Sequence, residues 1–224
     1  MTSLLALKLF LAPIFVGLVS VIQKRWGDRV GGRLIGFPLT TGPFVLIIYI
    51  QEGGSFAARA AHGVLVGQVA LIIFAWTYAT AAMRTDWAKA LATGTLACIA
   101  SGVVLTAREI PLIPLLFILF ITWICAKKYW PAYDSKPHSN EPPSWELPIR
   151  LVTTVLIILT LTGFANVLGA RVAGVLSTYP VIVSVLGAFN QRRFGPNATV
   201  ATLHGMLQTL PITTLIMSAL TIFL

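Results

Sequence analysis

The chain has 224 residues, of which 57% are hydrophobic and 10% charged, with a formal net charge of +9 at pH 7. Soluble domains carry about 25% charged residues, and a chain with a mean hydropathy of +0.86 cannot cover itself with polar surface, so a soluble globular domain is excluded and lipid is the solvent. The 16 Lys and Arg against 7 Asp and Glu do not signal nucleic acid, because they fall in short segments between apolar runs and not along one helix face.

Apolar runs that approach or exceed the roughly 18 residues needed to cross a hydrocarbon core as helix lie at about 4–22, 34–50, 56–83, 90–107, 110–126, 149–168, 172–189 and 198–224. They predict an all-α polytopic membrane protein of about eight transmembrane helices. The first run lacks a basic start and a small-residue cleavage site, so it reads as a retained helix and not a leader. The second carries Pro38 and Pro43 and the seventh Pro180; proline removes an i to i−4 hydrogen bond, so these three are predicted helix breaks. Cys98 and Cys125 sit inside apolar runs at different depths and read as small core hydrophobes, with neither a disulfide nor a metal implied.

Loop charges give the orientation. Lys24, Arg25, Arg29, Arg33, Arg84, Lys89, Lys127, Lys128, Lys136, Arg150, Arg192 and Arg193 collect on one side, against Arg59, Arg108 and Arg171 on the other. Basic loops stay cytoplasmic, which puts both termini outside. Trp26, Trp87, Trp130 and Trp145 lie on the basic side, at headgroup level. The segment from Lys127 to Trp145 is rich in proline and polar residues and reads as a cytoplasmic linker without its own core.

Sliding the chain by 142 positions aligns GDRVGGRLIGFPLTTGP, from Gly27, with GARVAGVLSTYPVIVSV, from Gly169. The match continues without a gap through Pro38 and Pro180, Gly53 and Gly195, His62 and His204, and Gly63 and Gly205. Arg, Pro and His are scarce in this chain, so their coincidence in register indicates a duplication. Five spans precede the second copy, an odd number, so a three-helix unit at 1–83 recurs upside down at 148–224, with two linking helices and a cytoplasmic loop at 84–147. Inverted-topology repeats with broken helices recur in secondary transporters, with binding at the repeat interface near the midplane.

The expected substrate-binding residues are Thr40 and Thr41 beside the first break, Ser177, Thr178 and Tyr179 beside the second, and His62 with His204. Freed carbonyls at a break need a partner or a wet cavity, and hydroxyls there suit either close helix packing or a polar pocket. A histidine about six residues into a span is a functional-site hypothesis, with a neutral, hydrogen-bonded ring as the alternative. Topology places each histidine at the depth of the opposite repeat's proline, so His62 is expected beside Pro180 and His204 beside Pro38. Arg29 and Arg171 recur near opposite interfaces, as contacts for an anion or lipid or as snorkelling anchors. No HExxH, GxSxG, glycine-rich nucleotide loop or acidic metal cluster is present, so neither an enzyme, a cofactor nor a metal is expected.

The segment RVAGVLSTYPVIVSVLGAF with the following LHGMLQTLP resembles the GlpM-type family of small bacterial membrane proteins, and GGRLIGFPLTTGP is a more divergent copy. The resemblance covers about a third of the chain. It implies a bacterial inner-membrane protein with an accessory role in envelope polysaccharide production, and supplies no catalytic residue or substrate. The reading that follows is a small inner-membrane permease for an unidentified small-molecule or lipid-linked substrate, with membrane lipids as its surroundings and no nucleic-acid partner. The alternative is a non-transporting subunit of an envelope biosynthesis or export complex, partnered there or as a homodimer.

Overall fold

A computed structural model describes residues 2–134, 143, 145–168 and 179–224. Among these residues every regular element is a helix: α1 (Thr2–Trp26), α2 (Asp28–Gly36), α3 (Thr41–Glu52), α4 (Gly54–Ala82), α5 (Trp87–Thr106), α6 (Leu112–Lys128), α7 (Glu146–Leu168), α8 (Val181–Phe194) and α9 (Pro196–Phe223). Six stretches are long and apolar enough to cross a membrane: Leu9–Trp26, Asp28–Glu52 (α2 with α3), α4, α5, Glu146–Gly163 and α9. With 17 residues, α6 is shorter, as is α8 with 14, so fewer full spans are present among the described residues than the eight expected.

The burial pattern is that of a protein in lipid. Ile50, Val104, Ile113 and Leu215 are each at least 70% exposed, whereas Arg150 is 4% and Glu146 3% exposed. Large apolar side chains face outward along the helices while the Glu146 and Arg150 charges are enclosed, which suits a surround of lipid. The core surrounds α4, whose Leu65, Val69, Ile72, Phe74 and Tyr78 pack with Leu203, Met206 and Leu207 of α9, Cys98 of α5 and Leu115 of α6. A smaller cluster joins Val16 and Val19 of α1 to Leu186 of α8. Cys98 is buried as expected, but Cys125 is exposed.

Glycine corners replace loops at three places. Gly27, Gly53 and Gly195 have φ of 88°, 84° and 86°, a region in which a Cβ would collide with the following carbonyl. Each lets one helix follow another without a connecting loop. Gly53 and Gly195 are the 142-offset pair and share their ψ as well, 176° and −179°. The flanking boundaries obey the same offset: Glu52 and Phe194 end the preceding helices, and Gly54 and Pro196 begin the next.

The break at Pro38 is present. Phe37 is extended, at φ −73° and ψ 156°, as sterics require before proline, and helix resumes at Thr41. The carbonyls left open at the end of α2 are taken by α9: Thr209 Oγ1 donates to Arg33 O at 2.7 Å and Thr213 Oγ1 to Gly36 O at 2.6 Å. Pro43 does not break its helix. It lies in the first turn of α3, where the backbone N–H has no intrahelical partner in any case. Pro180 precedes the first residue of α8, and its carbonyl accepts both Ser184 N at 3.0 Å and Ser184 Oγ at 2.9 Å.

Small residues set the closest contact of the fold, between α2 and α9. A Cβ added at Gly32 would lie 2.0 Å from Thr202 O, one at Gly36 2.4 Å from Met206 O, and one at Gly205 2.1 Å from Arg29 O. Lipid tails are as apolar as leucine, so helices in a bilayer associate by such close backbone approach and by interhelical hydrogen bonds. Hydrogen bonds among Asp28, Thr85, Glu146, Asn190, Gln191 and Arg193 gather the basic segments at one end of the bundle. At the other end a Cβ on Gly54 would touch Leu224 O.

Candidate functional site

Residues Leu112–Lys128, which form α6, are held at both ends by His62 and His204. His62 Nε2 lies 2.9 Å from Ile110 O, just before α6; a carbonyl only accepts, so Nε2 carries the proton of this bond. His204 Nδ1 lies 2.7 Å from the Tyr133 hydroxyl, just after α6, with Trp130 stacked on the ring at 5.4 Å and Tyr133 edge-on at 5.5 Å. Between them, Trp123 Nε1 donates to Leu207 O of α9 at 2.8 Å and Trp76 Nε1 of α4 to Tyr129 O at 3.1 Å.

These bonds differ from those expected of the histidines. His62 takes the Ile110 carbonyl in the linking region and not a carbonyl at Pro180, whose own carbonyl is satisfied within α8. His204 lies one residue before Gly205, which packs on Arg29 and Arg33, whereas the open end of α2 near Pro38 faces Thr209 and Thr213. It therefore sits beside the start of α2 and not beside its break. The linker was expected to have no core, yet Trp130 and Tyr133 fold back onto the bundle.

A cavity of about 380 Å³ opens beside His204, lined by Trp123, Lys127, His204, Leu207, Gln208 and Pro211. This is within the size range of small-molecule sites, roughly 300–1,000 Å³. Arg29, Lys127 and Arg33 lie within electrostatic range of His204, and Arg33 Nε donates to Gln208 Oε1 at 3.1 Å. Burial pushes the Tyr133 phenol up, while Arg29 and Arg33 pull it the other way.

A second polar centre was not legible as one. The Glu146 carboxylate in the first turn of α7 receives Arg150 Nη2 at 2.5 Å and Arg193 Nη1 of α8 at 3.1 Å. Arg150 also donates to Asn190 Oδ1 at 3.1 Å and to Ser20 Oγ of α1 at 3.3 Å. Asn190 Nδ2 reaches Asp28 Oδ1 at 3.3 Å and Thr202 Oγ1 at 3.1 Å, and Gln23 Nε2 reaches the same Thr202 hydroxyl at 2.9 Å. Five helices meet in this network. In the sequence Arg150 and Arg193 are indistinguishable from topological anchors; the available signal was Glu146 four residues before Arg150, the favourable order for a helical pair.

The remaining expected residues occupy separate places. The Tyr179 hydroxyl lies 2.9 Å from Thr95 Oγ1 of α5 and receives Ser184 Oγ at 3.0 Å, with Phe74 edge-on at 6.2 Å. Thr40 caps α3 without a side-chain bond, and Thr41 Oγ1 is buried with no partner among the described residues. Ser177, Thr178 and Arg171 lie outside the described residues. Comparison with known proteins finds no family model, no curated protein and no solved structure that matches this chain.

Proposed function

We propose that the chain is a small inner-membrane permease built on an inverted-topology repeat, with its substrate site in the His204 cavity and the basic end of the bundle in the cytoplasm. The observation that carries this reading is the position of the cavity, against α9 of the second repeat and beside the arginines of α2 of the first. The 142-residue offset shared by the Gly53 and Gly195 corners and their flanking helix ends supports the duplication, and the odd number of apolar runs between the copies in the sequence, with the 17-residue α6 as one of them, is the ground for its inversion.

A mechanism follows from the packing. The interrupted backbone at 37–40 separates α2 from α3, so α2 can move with α9, to which its glycines and carbonyls are fitted, while α3 stays with α4. The Glu146 network ties α1, α2, α7, α8 and α9 at the basic end and acts as the inner gate, because opening there requires its charges to part. Purified protein in liposomes, exchanging a labelled pool of small metabolites against an unlabelled one, tests the proposal. Saturable uptake that falls in Pro38→Ala and His204→Ala supports it. Co-purification with stoichiometric partners and no uptake in liposomes would instead favour a non-transporting subunit.

A further inference from the structure

We propose that the His204 cavity binds a phosphoryl group, carried on a compact body that rests against Trp123, Leu207 and Pro211. The inference deepens the permease reading in that it uses the same cavity, but it requires binding and not transport. It begins from the donors. Arg29 Nε and Trp130 Nε1 are both buried and have no acceptor among the described residues, and Trp130 stacks on His204. Buried N–H groups are rarely left unpaired, and both of these belong to neighbours of His204 beyond the residues that line the cavity.

Charge points the same way. Lys127 lines the cavity, Arg29 and Arg33 lie within electrostatic range of His204, and no carboxylate is among the lining residues. Gln208 accepts from Arg33 through Oε1, which leaves its NH2 as a further donor. Lys127 and the Gln208 amide in the wall, with Arg33 on Gln208 behind them, match a group with three strong acceptor oxygens and a charge near −2. Trp123 spends its N–H on Leu207 O and carries Lys127 Nζ over its ring at 5.0 Å, so its remaining face is an apolar wall. The phosphoryl group comes either from a soluble phosphate or from a lipid headgroup, and the cavity chemistry is the same for both.

Binding is measured by titration of the purified chain in a neutral maltoside detergent with inorganic phosphate, against chloride at matched ionic strength. A second arm uses nanodiscs of phosphatidylcholine with increasing phosphatidylglycerol. Saturable stabilisation by phosphate supports the site and assigns a soluble source; a response to phosphatidylglycerol alone supports it and assigns a lipid source. Lys127→Gln, at an exposed side chain, and Arg29→Gln each weaken binding by about tenfold or more, while Arg59→Gln, an exposed cation on α4, leaves it unchanged. No saturable response in either arm, or an affinity unaltered in Lys127→Gln, overturns the assignment. Binding without flux in liposomes overturns the permease reading and leaves this one standing.

Discussion

Replacing Gly32 by alanine tests whether the α2 and α9 helices are as close as the structure has them. The new Cβ would lie 2.0 Å from Thr202 O, where ordinary contacts begin at 3.4 Å, so the helices must part by about 1.4 Å or the backbone must strain. Overpacking a fitted interface costs about 1–3 kcal/mol. Separation also stretches two hydrogen bonds across it, Thr209 to Arg33 O and Thr213 to Gly36 O, each worth about 1 kcal/mol. The sum is about 3–5 kcal/mol, which lowers the thermal midpoint by on the order of 10 °C for a chain this long. Gly205→Ala, facing Arg29 O at 2.1 Å, should do the same. In Gly42→Ala the nearest atom would be Pro38 Cβ at 4.0 Å, so that variant serves as the control. Differential scanning fluorimetry in detergent gives the comparison, and a Gly32→Ala midpoint within 2 °C of the Gly42→Ala midpoint refutes the packing argument.

Three further outcomes follow from the site geometry. Glu146→Gln leaves two guanidiniums without their carboxylate and should destabilise by about 3–5 kcal/mol, part of which Arg150→Met restores in the double variant; an additive double variant contradicts the shared network. Asp86 caps α5 through the amides of Lys89 and Ala88, and the Lys89 bonds hold its carboxyl below the usual range. Its contribution is therefore present above the unfolded carboxylate pKa and lost as pH falls through the depressed folded value, so the gap between wild type and Asp86→Ala should close on acidification and is misassigned if it widens. His62→Ala and His204→Ala each remove one hydrogen bond to an end of α6, about 1 kcal/mol, and hydrogen exchange should rise at 107–111 in the first and at 129–134 in the second; equal protection in both variants argues against the clamp.

Much of the helical framework is readable from hydropathy, because a span of lipid leaves the backbone no alternative to helix. Pro38 was legible for the same reason, since its effect is steric and local. Pro43 was not, because five residues decide whether a proline meets a helix interior or its first turn. The site depended on what hydropathy does not encode. Gly32, Gly36 and Gly205 read as motif residues, but their partners across the α2–α9 contact are backbone atoms. His204 was singled out by the repeat, yet its partners Trp130 and Tyr133 come from a polar segment with no periodicity. Arg150 and Glu146 look like surface charges until five helices are brought together around them.

The central claim is that the cavity between α6 and α9 is open to each side of the membrane in turn, and a single cysteine in it measures this without knowledge of the substrate. Gln208→Cys, in a background with Cys98→Ala and Cys125→Ser, is exposed in oriented proteoliposomes to an impermeant thiol reagent from one side or the other. The account predicts modification from both sides, with rates that shift in opposite directions when inorganic phosphate is added. Modification from the basic face alone, with and without phosphate, would contradict it.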